Sequence, residues 1–470
     1  MRKIIPFCCV AVLAATATAD TIVLKSGTRI VVDSVREQNG RVEYTIGDNT
    51  LTLPKSVVAR VETGPPASAA KGSASREITA EELPDIHEQL AVEDSVIAKV
   101  IHGDQVDIAA LHQVDKAGPP GQAAAAYAIV ASLEQGKGDF KSAGEHLRRA
   151  IQLLPHHPVL LENYATLLLR MGKFEEALMY AEQATHAPPP SAEAYSVLGF
   201  AYYKNDRNHE AIAALKKSMQ IGPSDRAKSL LDRIERESRT EAAFHEQSTN
   251  HFTLRYEGSQ SADALRQQVL DVLESAYRDL QNELGAAPGT VFVSLYTDEA
   301  FFDVTQAPAW SAALNDGKIR LPISGVKSVT PELARILRHE LTHSFISHIT
   351  HNRAPQWLNE GVATIEQGVN VAPFGVRLAA LYSAGQQIPL GQLEGNFESY
   401  SSGEASVAYA ESLAAVQFIR ETYGMPAVAA LLQKIGEGQS VETALRGTIH
   451  GGYADLEAQL TAYLKKTYGS

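Results

Sequence analysis

Residues 339–343 read His-Glu-Leu-Thr-His, within a segment that has the pattern of a helix beginning at Thr330. Residues four apart on a helix lie about 40° from each other, so the imidazoles of His339 and His343 face the same way and can bind one metal ion. Glu340 lies about 100° around the helix from His339, where its carboxylate can reach a water on that metal. The motif therefore predicts a metal site with a general base beside it.

The sequence around the motif supports a helix with two distinct flanks. Thr330 can cap the first turn, Pro331 suits the first helical position, and Glu332 suits the positive end of the helix dipole. Apolar residues recur every four positions on a flank away from the histidines, namely Leu333, Leu337, Leu341 and Phe345. One flank can therefore join a core while another carries a site. The alternative interpretation is a pair of surface histidines on an ordinary amphipathic helix.

The histidines that follow the motif do not suit the role of third ligand. A metzincin site needs a glycine and a histidine at positions that hold Ile346 and Ile349 here. His348 and His351 lie about 180° and 120° around the helix from His339, so both face away from the metal. The pattern therefore favours a carboxylate as the third ligand.

Two glutamates are within reach along the chain, Glu360 and Glu366. They lie about 120° apart on a helix, so they cannot share the role. The run Trp357-Leu358-Asn359-Glu360-Gly361-Val362-Ala363 places one acidic residue in an apolar helix, and a buried carboxylate needs a partner of opposite charge. We therefore predict a site of two histidines and Glu360, with a fourth position left open.

Four runs of sequence resemble the bacterial peptidase MA-like domain of the gluzincin (thermolysin-type) clan. The runs, within a resemblance over about residues 249 to 470, are Ala307-Pro308-Ala309-Trp310, Asp316-Gly317-Lys318-Ile319-Arg320-Leu321-Pro322, Leu337-Arg338-His339-Glu340-Leu341-Thr342-His343 and Ala354-Pro355-Gln356-Trp357-Leu358-Asn359-Glu360-Gly361. The resemblance implies that His339, His343 and Glu360 bind one Zn²⁺ per chain, and that Glu340 activates water. Such enzymes often place an aspartate four residues after the ligand glutamate. Thr364 stands there in this chain, so another group must orient His339.

The chemistry implied by this resemblance is hydrolysis of a peptide bond in a protein or peptide substrate. Zinc lowers the pKa of its water towards about 7, Glu340 removes the proton, and the same carboxyl group returns it to the leaving amine. The tetrahedral oxyanion needs a further hydrogen-bond donor, and the candidate is Tyr409, in the helical stretch from Glu404 to Ser412. The alternative for Tyr409 is an ordinary core tyrosine with one apolar side.

An extended segment from Lys318 to Ile323 follows the turn signal Asn315-Asp316-Gly317. Its side chains alternate in character, and Pro322 near its end suits a strand at the edge of a sheet. A peptide substrate could add a strand to such an edge. The alternative is an edge with a structural role only.

A repeat with a period of 34 residues precedes this domain. Its three copies begin at Gly138, Gly172 and Asp206, and a proline recurs at the same interval, as Pro155, Pro189 and Pro223. The period and pattern resemble tetratricopeptide repeats over about residues 124 to 225. Three copies can bury a continuous core and leave a concave face, which in these repeats usually binds a protein partner. The alternative, another array of helical hairpins, would still be an α-solenoid.

The first nineteen residues have the pattern of a secretory signal peptide. Arg2-Lys3 precedes an apolar stretch from Ile4 to Ala15, and Ala17-Thr18-Ala19 provides a small-residue cleavage site. The stretch is too short to span a membrane, and no later run of about eighteen apolar residues follows. Both cysteines, Cys8 and Cys9, lie in this segment, so the mature protein would have no disulfide and no thiolate ligand. We expect an exported protein, in the periplasm, without a transmembrane segment.

Residues 21 to 63 alternate short apolar runs with polar turns, which suggests a small barrel-like β module. The predicted strands are Thr21–Leu24, Thr28–Val32, Arg41–Ile46 and Val57–Val61. A stretch rich in Pro, Ala, Ser and Gly, from Gly64 to Ser75, is typical of a linker. Residues 79 to 118 have a helical pattern and carry no recognisable motif.

The acidic balance of the chain limits its partners. The net charge is −13, which argues against nucleic acid or an anionic membrane surface as a partner. At 470 residues the chain is also too long for one core and should hold about three domains.

These patterns together predict a multidomain α+β protein. The predicted organisation is a signal peptide (1–19), a small β module (20–63), a linker and helical segment (64–120), a domain of three tetratricopeptide repeats (121–240) and a zincin-like metallopeptidase domain (249–470). The predicted function is that of a secreted zinc metallopeptidase whose repeats recruit a substrate or partner. One alternative is a catalytically inactive scaffold of the cell envelope with a zincin-like domain. Another is an adaptor with a structural metal, which would need a fourth protein ligand.

Overall fold

The computed structural model describes most of the chain. The described residues are 20–24, 29–32, 34–38, 41–46, 49–55, 58–63, 90, 94–102, 105–186, 188, 191–258, 262–305, 313–323, 325–397 and 400–469. The chain divides into two compact units, one of residues 1–74 with 306–311 and one of residues 75–305 with 312–470. The predicted signal peptide, the predicted linker and the run from Ala307 to Trp310 lie outside the described residues.

The first unit contains short antiparallel strands in two three-stranded sheets, ordered β2-β1-β6 and β3-β4-β5. These strands are β1 (Asp20–Leu24), β2 (Arg29–Val32), β3 (Ser34–Gln38), β4 (Arg41–Ile46), β5 (Asn49–Pro54) and β6 (Val58–Thr63). The sequence predicted β1, β2, β4 and β6 but not β3 or β5. Strand β3 contains a single apolar residue, Val35, so its sequence lacks the alternation of apolar and polar residues that indicates a strand. Its extended conformation is stabilised by pairing with β4.

The first described elements of the second unit are two short helices around a small hairpin. Helices α1 (Asp94–Val100) and α2 (Ile108–Ala117) flank the strands β7 (Ile101–His102) and β8 (Gln105–Val106). The expectation that residues 79 to 118 are helical was therefore wrong at this hairpin, and residues 79–89 and 91–93 lie outside the described residues. The dipeptide Gly103-Asp104 between the two strands is a turn signal that the helical interpretation overlooked.

The repeat region consists of helix pairs closed by one further helix. They are α3 (Pro120–Gly136) with α4 (Phe140–Leu153), α5 (Pro158–Arg170) with α6 (Phe174–Thr185), α7 (Ala192–Lys204) with α8 (Asn208–Ile221), and the closing helix α9 (Asp225–Glu241). Each pair packs through the same small residue of its second helix, and these residues are fully buried: Ala143, Ala177 and Ala211. The arrangement is the α-solenoid that the 34-residue period predicted.

The turn within each pair uses one left-handed residue at the same position of the repeat. Gly138 and Gly172 have φ angles of 78° and 71°, and Asp206 in the third copy has a φ of 60°. Glycine adopts this conformation without steric cost, whereas aspartate does so less readily. The need for a left-handed turn residue therefore explains the two glycines. Asp206 is the exception in the third copy, and its side chain pairs with Lys318 and Arg255.

Glu162 on α5 is a buried acid that predicts how stability depends on pH. Burial raises its pKa from 4.5 to about 8, helped by the charge of Glu193, while a hydrogen bond from the Ser191 hydroxyl opposes the shift. Between these two pKa values the folded chain holds a proton that the unfolded chain releases, so stability should fall as pH rises from about 5 to about 8. Replacing Glu162 by glutamine should restore on the order of 3 kcal/mol above pH 8. Urea unfolding at both ends of this range checks the prediction, which an unchanged pH dependence would contradict.

The last domain is built on a mixed five-stranded sheet with the order β12-β13-β11-β10-β9. Its strands are β9 (Phe244–Ser248), β10 (Phe252–Glu257), β11 (Val291–Tyr296), β12 (Leu314–Asn315) and β13 (Ile319–Pro322). Strands β10, β11 and β13 are parallel, and β9 and β12 flank them in the antiparallel sense. The segment from Lys318 to Ile323, which was expected to form an open edge of the sheet, therefore does not form the outermost strand. Strand β13 pairs with β11 on one side and, at Ile319 and Arg320, with β12 on the other.

Helices pack against this sheet and form the rest of the domain. They are α10 (Asp263–Leu284), α11 (Asp298–Thr305), α12 (Pro331–Thr350), α13 (Gln356–Glu366), α14 (Ala372–Ser383), α15 (Ser402–Tyr423), α16 (Met425–Gly436), α17 (Val441–Ile449) and α18 (Tyr453–Tyr468), with a 3₁₀ turn at Leu390–Glu394. One continuous core joins the sheet to α10, α12, α13 and the C-terminal helices. The multidomain α+β class predicted from the sequence is thus the class observed. Among the helices that the structure describes, none combines the length and apolar character needed to span a bilayer.

Candidate metal centre

The histidine motif lies in the middle of α12, and local sequence explains why this helix forms. The Thr330 hydroxyl accepts a hydrogen bond from the Leu333 amide at 3.1 Å, and Pro331 occupies the first turn. Leu337, Leu341 and Phe345 are fully buried on one flank, as their spacing predicted. The helix is therefore fixed to the core along one side, which leaves the motif facing another.

The imidazoles of His339 and His343 converge as the i, i+4 spacing requires. Their Nε2 atoms lie 3.1 Å apart, and the two rings are nearly perpendicular, at 88°. Both side chains remain partly exposed, 19% for His339 and 16% for His343. Two nitrogen lone pairs that face each other at this distance repel, and a cation bound between them would remove that repulsion.

Glu360 on the neighbouring helix α13 completes the group. Its Oε2 atom lies 3.8 Å from His339 Nε2 and 3.9 Å from His343 Nε2. The Gln356 side chain donates a hydrogen bond to the other carboxylate oxygen, Oε1, at 3.0 Å. Gln356 therefore leaves Oε2 directed at the imidazoles, a role that no motif in the sequence pointed to. In the described part of the chain, this trio is where three metal-ligating side chains converge, with ligand atoms within 4.8 Å of one another.

A close approach of helices keeps Glu360 in place. A Cβ atom at Gly361 would lie 2.5 Å from the main-chain oxygen of Ser412 and from a methyl group of Val416, both on α15. Only glycine allows α15 to pack this closely behind the glutamate. On the other side, the Trp357 indole donates a hydrogen bond to the Tyr453 hydroxyl at 3.1 Å, which ties α13 to α18. Glu360 is thus held by packing of its helix and not by its own side chain alone.

The three side chains fit a zinc ion in both chemistry and spacing. Zinc sites with an open position typically use three protein ligands drawn from histidine and carboxylate. Tetrahedral bonds of about 2.0–2.1 Å place ligand atoms roughly 3.3–3.5 Å apart. The observed separations of 3.1, 3.8 and 3.9 Å bracket that value. Small side-chain movements would therefore suffice to form the bonds.

The Nδ1 atoms of the two imidazoles have different surroundings. His343 Nδ1 lies 3.0 Å from the Asn359 side-chain oxygen, so it donates its proton there and leaves Nε2 free to bind a metal. His339 Nδ1 is buried without a hydrogen bond. The Ala363 main chain and the Gln367 side chain are near enough to favour its protonated form. The groups placed to orient His339 in place of the missing aspartate thus lie on either side of Thr364, at Ala363 and Gln367.

The electrostatics of the site suit a cation and a base. Burial lowers the pKa of His339 to about 3, and the charge of His343 adds to this effect. Burial also lowers the pKa of His343, but Glu360, Glu340 and Asn359 outweigh it and leave the pKa raised. Burial raises the pKa of Glu340 to about 7, with His343 opposing and Glu360 reinforcing the shift. The two carboxyl groups therefore lack a full positive partner within the protein, which a divalent ion would supply.

The remaining candidates occupy other environments. Glu366 forms an ion pair with Arg338, whose Nη2 lies 2.5 Å from its carboxylate, so it is not directed at the imidazoles. His351 ends α12 in a left-handed conformation with a φ of 52°, and neither it nor His348 belongs to the metal-binding group. The half-buried Tyr409 packs its ring edge-on against Phe397, with centroids 5.4 Å apart. Its predicted role as oxyanion donor stays a prediction.

Comparison with known proteins assigns two kinds of module to the chain. Residues 305–466 match the Peptidase MA superfamily, and residues 134–187 and 192–225 match tetratricopeptide repeats. The chain is 34% identical over 87 residues to the small glutamine-rich tetratricopeptide repeat-containing protein 2 of Mycosarcoma maydis. It is 33% identical over 88 residues to the Hsp70-Hsp90 organizing protein of Triticum aestivum. These matches cover 18% and 19% of this chain, and only 25% and 15% of the two relatives.

The order of these matches along the chain agrees with the fold. The repeat matches fall within helices α3 to α9, and the peptidase match contains β12, β13 and the helices that carry His339, His343 and Glu360. The chain therefore carries tetratricopeptide repeats followed by a Peptidase MA superfamily domain.

Proposed function

We propose that this chain is an exported zinc-dependent metallopeptidase, with one zinc ion held by His339, His343 and Glu360. The observation that carries the proposal is the convergence of these three ligand atoms, with Glu340 on the same turn of α12. Three protein ligands leave a fourth position for water or substrate, which is typical of catalytic rather than structural zinc. The basic and apolar N-terminal residues, from Arg2 to Ala19, support export.

Each residue of the site has a defined task in peptide hydrolysis. When bound, Zn²⁺ would supply a Lewis acid that lowers the pKa of a water towards about 7 and polarises a carbonyl oxygen. Glu340, on the same turn of α12 as His339, takes a proton from the attacking water as the water oxygen bonds to the peptide carbon. The same carboxyl group then gives that proton to the leaving amine nitrogen as the carbon–nitrogen bond breaks. Asn359 and Gln356 hold His343 and Glu360 in orientation throughout.

Tyr409 is proposed to donate a hydrogen bond to the oxyanion. Replacing it by phenylalanine removes the hydroxyl but keeps the ring contact with Phe397. Turnover should then fall by about 100- to 1,000-fold, while the bound zinc is retained. Steady-state kinetics with zinc analysis of the same preparation checks this. Unchanged turnover would make Tyr409 a packing residue only.

A second candidate function is an adaptor whose peptidase-like domain does not turn over. The repeats favour it, because they match those of proteins that are named for tetratricopeptide repeats or for organising Hsp70 and Hsp90. In either case we propose that the concave face of the repeats recruits a protein, as substrate or as partner.

Metal removal and replacement separates the two candidates. The full-length protein, stripped with a chelator and then given one equivalent of zinc, should lose and regain hydrolysis of an unfolded protein substrate. The regained activity should follow zinc occupancy, because the open coordination position is needed for turnover. Hydrolysis that survives complete zinc removal would contradict the metallopeptidase, and zinc binding without hydrolysis of any unfolded or peptide substrate would favour the adaptor.

A further inference from the structure

We propose that the third tetratricopeptide repeat, together with the closing helix α9, is a positioning element of the catalytic centre, acting through the β12–β13 hairpin on the main chain of Glu340. Helices α7 and α9 of the repeat region contact this hairpin through a buried ionic cluster. The hairpin in turn binds α12 beside the metal-binding histidines. The inference rests on the proposed function, and it adds a way for the repeats to control the site.

The ionic cluster is centred on Glu237, a fully buried residue of α9. Its carboxylate accepts hydrogen bonds from Lys318 Nζ and Arg320 Nη2, each at 2.8 Å, and from the Tyr203 hydroxyl of α7 at 2.9 Å. Lys318 and Arg320 flank the first residue of β13, and their side chains are 8% and 1% exposed. Buried charges of this kind are costly unless paired, so the repeat and the strand depend on each other.

Asp206 gives a second reason to regard this contact as specific. It occupies the left-handed turn position that is glycine in the other two repeats. Its carboxylate lies 2.8 Å from Lys318 Nζ, and it accepts a hydrogen bond from Arg255 of β10 at 2.8 Å. The repeat with the less favourable residue at this position is thus the repeat whose turn contacts the peptidase domain through that side chain.

The turn of the hairpin is held by the same repeat region. Lys204, at the end of α7, donates a hydrogen bond to the main-chain oxygen of Asp316 at 3.1 Å. The Asp316 carboxylate pairs with Arg320 within the hairpin and with Arg233 of α9. Strand β13 and the turn of the hairpin are therefore fixed from the repeat side.

The last link joins the hairpin to the catalytic helix. The Asn315 amide donates hydrogen bonds to the main-chain oxygen of Glu340 at 2.6 Å and to the Ser344 hydroxyl at 2.7 Å. The Asn315 side-chain oxygen accepts from the Gly317 amide at 3.0 Å, which fixes the rotamer of Asn315 to the turn. A shift of the hairpin would therefore move the backbone that carries the general base. Asn315 is a positioning residue, because it acts through Glu340 and not on the substrate.

The test uses the full-length chain with Glu237→Gln, and with Glu162→Gln as a matched control. Both change a buried glutamate of the repeat region, but Glu162 lies on α5, where its carboxylate accepts a hydrogen bond from the Ser191 hydroxyl and not from the hairpin. The first readout is amide hydrogen exchange of α12 around Glu340, which needs no activity. Exchange there should rise by about ten-fold in Glu237→Gln and stay at the wild-type rate in Glu162→Gln. The second readout is turnover, where kcat should fall by about 10- to 100-fold with KM and zinc content little changed.

If Glu237→Gln does not fold, Asn315→Ser tests the last link alone with the same two readouts. Wild-type exchange of α12 in a folded Glu237→Gln or Asn315→Ser variant would overturn the inference. A wild-type protein that hydrolyses nothing would refute the proposed peptidase, whereas faster α12 exchange in the variants would still establish the link from the repeats to the site.

Discussion

Replacing Glu340 by glutamine is expected to abolish hydrolysis while zinc stays bound. Glutamine keeps the shape of the side chain but cannot accept the proton of the attacking water, a loss that costs about 100- to 10,000-fold for general bases. We expect the upper part of this range, because Glu340 also returns the proton to the leaving amine in the proposed mechanism. Zinc should remain, since Glu340 is not among the three converging ligands.

A control on the same helix separates this effect from a general change of charge. Glu332 is exposed in the first turn of α12 and away from the motif, so Glu332→Gln should leave turnover within about two-fold. The two variants and wild type would be compared for zinc content and for cleavage of one unfolded protein. Equal hydrolysis by wild type and Glu340→Gln would remove Glu340 as the base.

Replacing Glu360 by alanine is expected to release the metal itself. Loss of an outer partner of a zinc ligand costs about 10- to 100-fold in affinity, and loss of a ligand should cost more. Only the two histidines would then bind the zinc ion, which would have two coordination positions without a protein ligand. Activity should disappear at any zinc concentration that leaves the protein soluble. Titration of the metal-free protein with zinc, in competition with a coloured chelator, measures the change directly.

Glu366 provides the matched control for this second variant. It lies on the same helix as Glu360 and is equally buried, at 8% exposure, but its carboxylate pairs with Arg338. Glu366→Gln should therefore lose some stability and keep its zinc affinity within about three-fold. Zinc lost from Glu366→Gln and kept in Glu360→Ala would reverse the assignment of the third ligand.

Local patterns in the sequence were enough to predict the repeat helices, the motif helix and the convergence of His339, His343 and Glu360. The motif from His339 to His343 needs only helical geometry to bring two imidazoles together, and the apolar run around Glu360 indicated a buried acid. The repeats were equally visible, because their period records the same packing three times. In each case the residues that form the pattern are also the residues that form the predicted contacts, and they are close to one another along the chain.

Contacts between distant segments explain what the sequence did not predict. Lys318 and Arg320 look like alternating polar residues of an edge strand, and only their pairing with Glu237, about 80 residues earlier, shows that they are buried. Gln356 stands in a run that resembles the peptidase family and Asn315 in a turn signal, but their roles follow only from the carboxylate and the carbonyl that the fold places beside them. Such partners are set by tertiary packing, which a single sequence does not record.

X-ray absorption at the zinc edge of the purified wild-type protein tests the metal centre most directly. The proposed centre predicts one zinc per chain, with two imidazole nitrogens and further oxygen ligands at about 2.0–2.1 Å. The spectrum of Glu360→Ala, if any zinc remains, should show the same two imidazoles and one oxygen fewer from the protein. A wild-type protein that binds no zinc, or a spectrum with three or more imidazoles, would contradict a centre built from His339, His343 and Glu360.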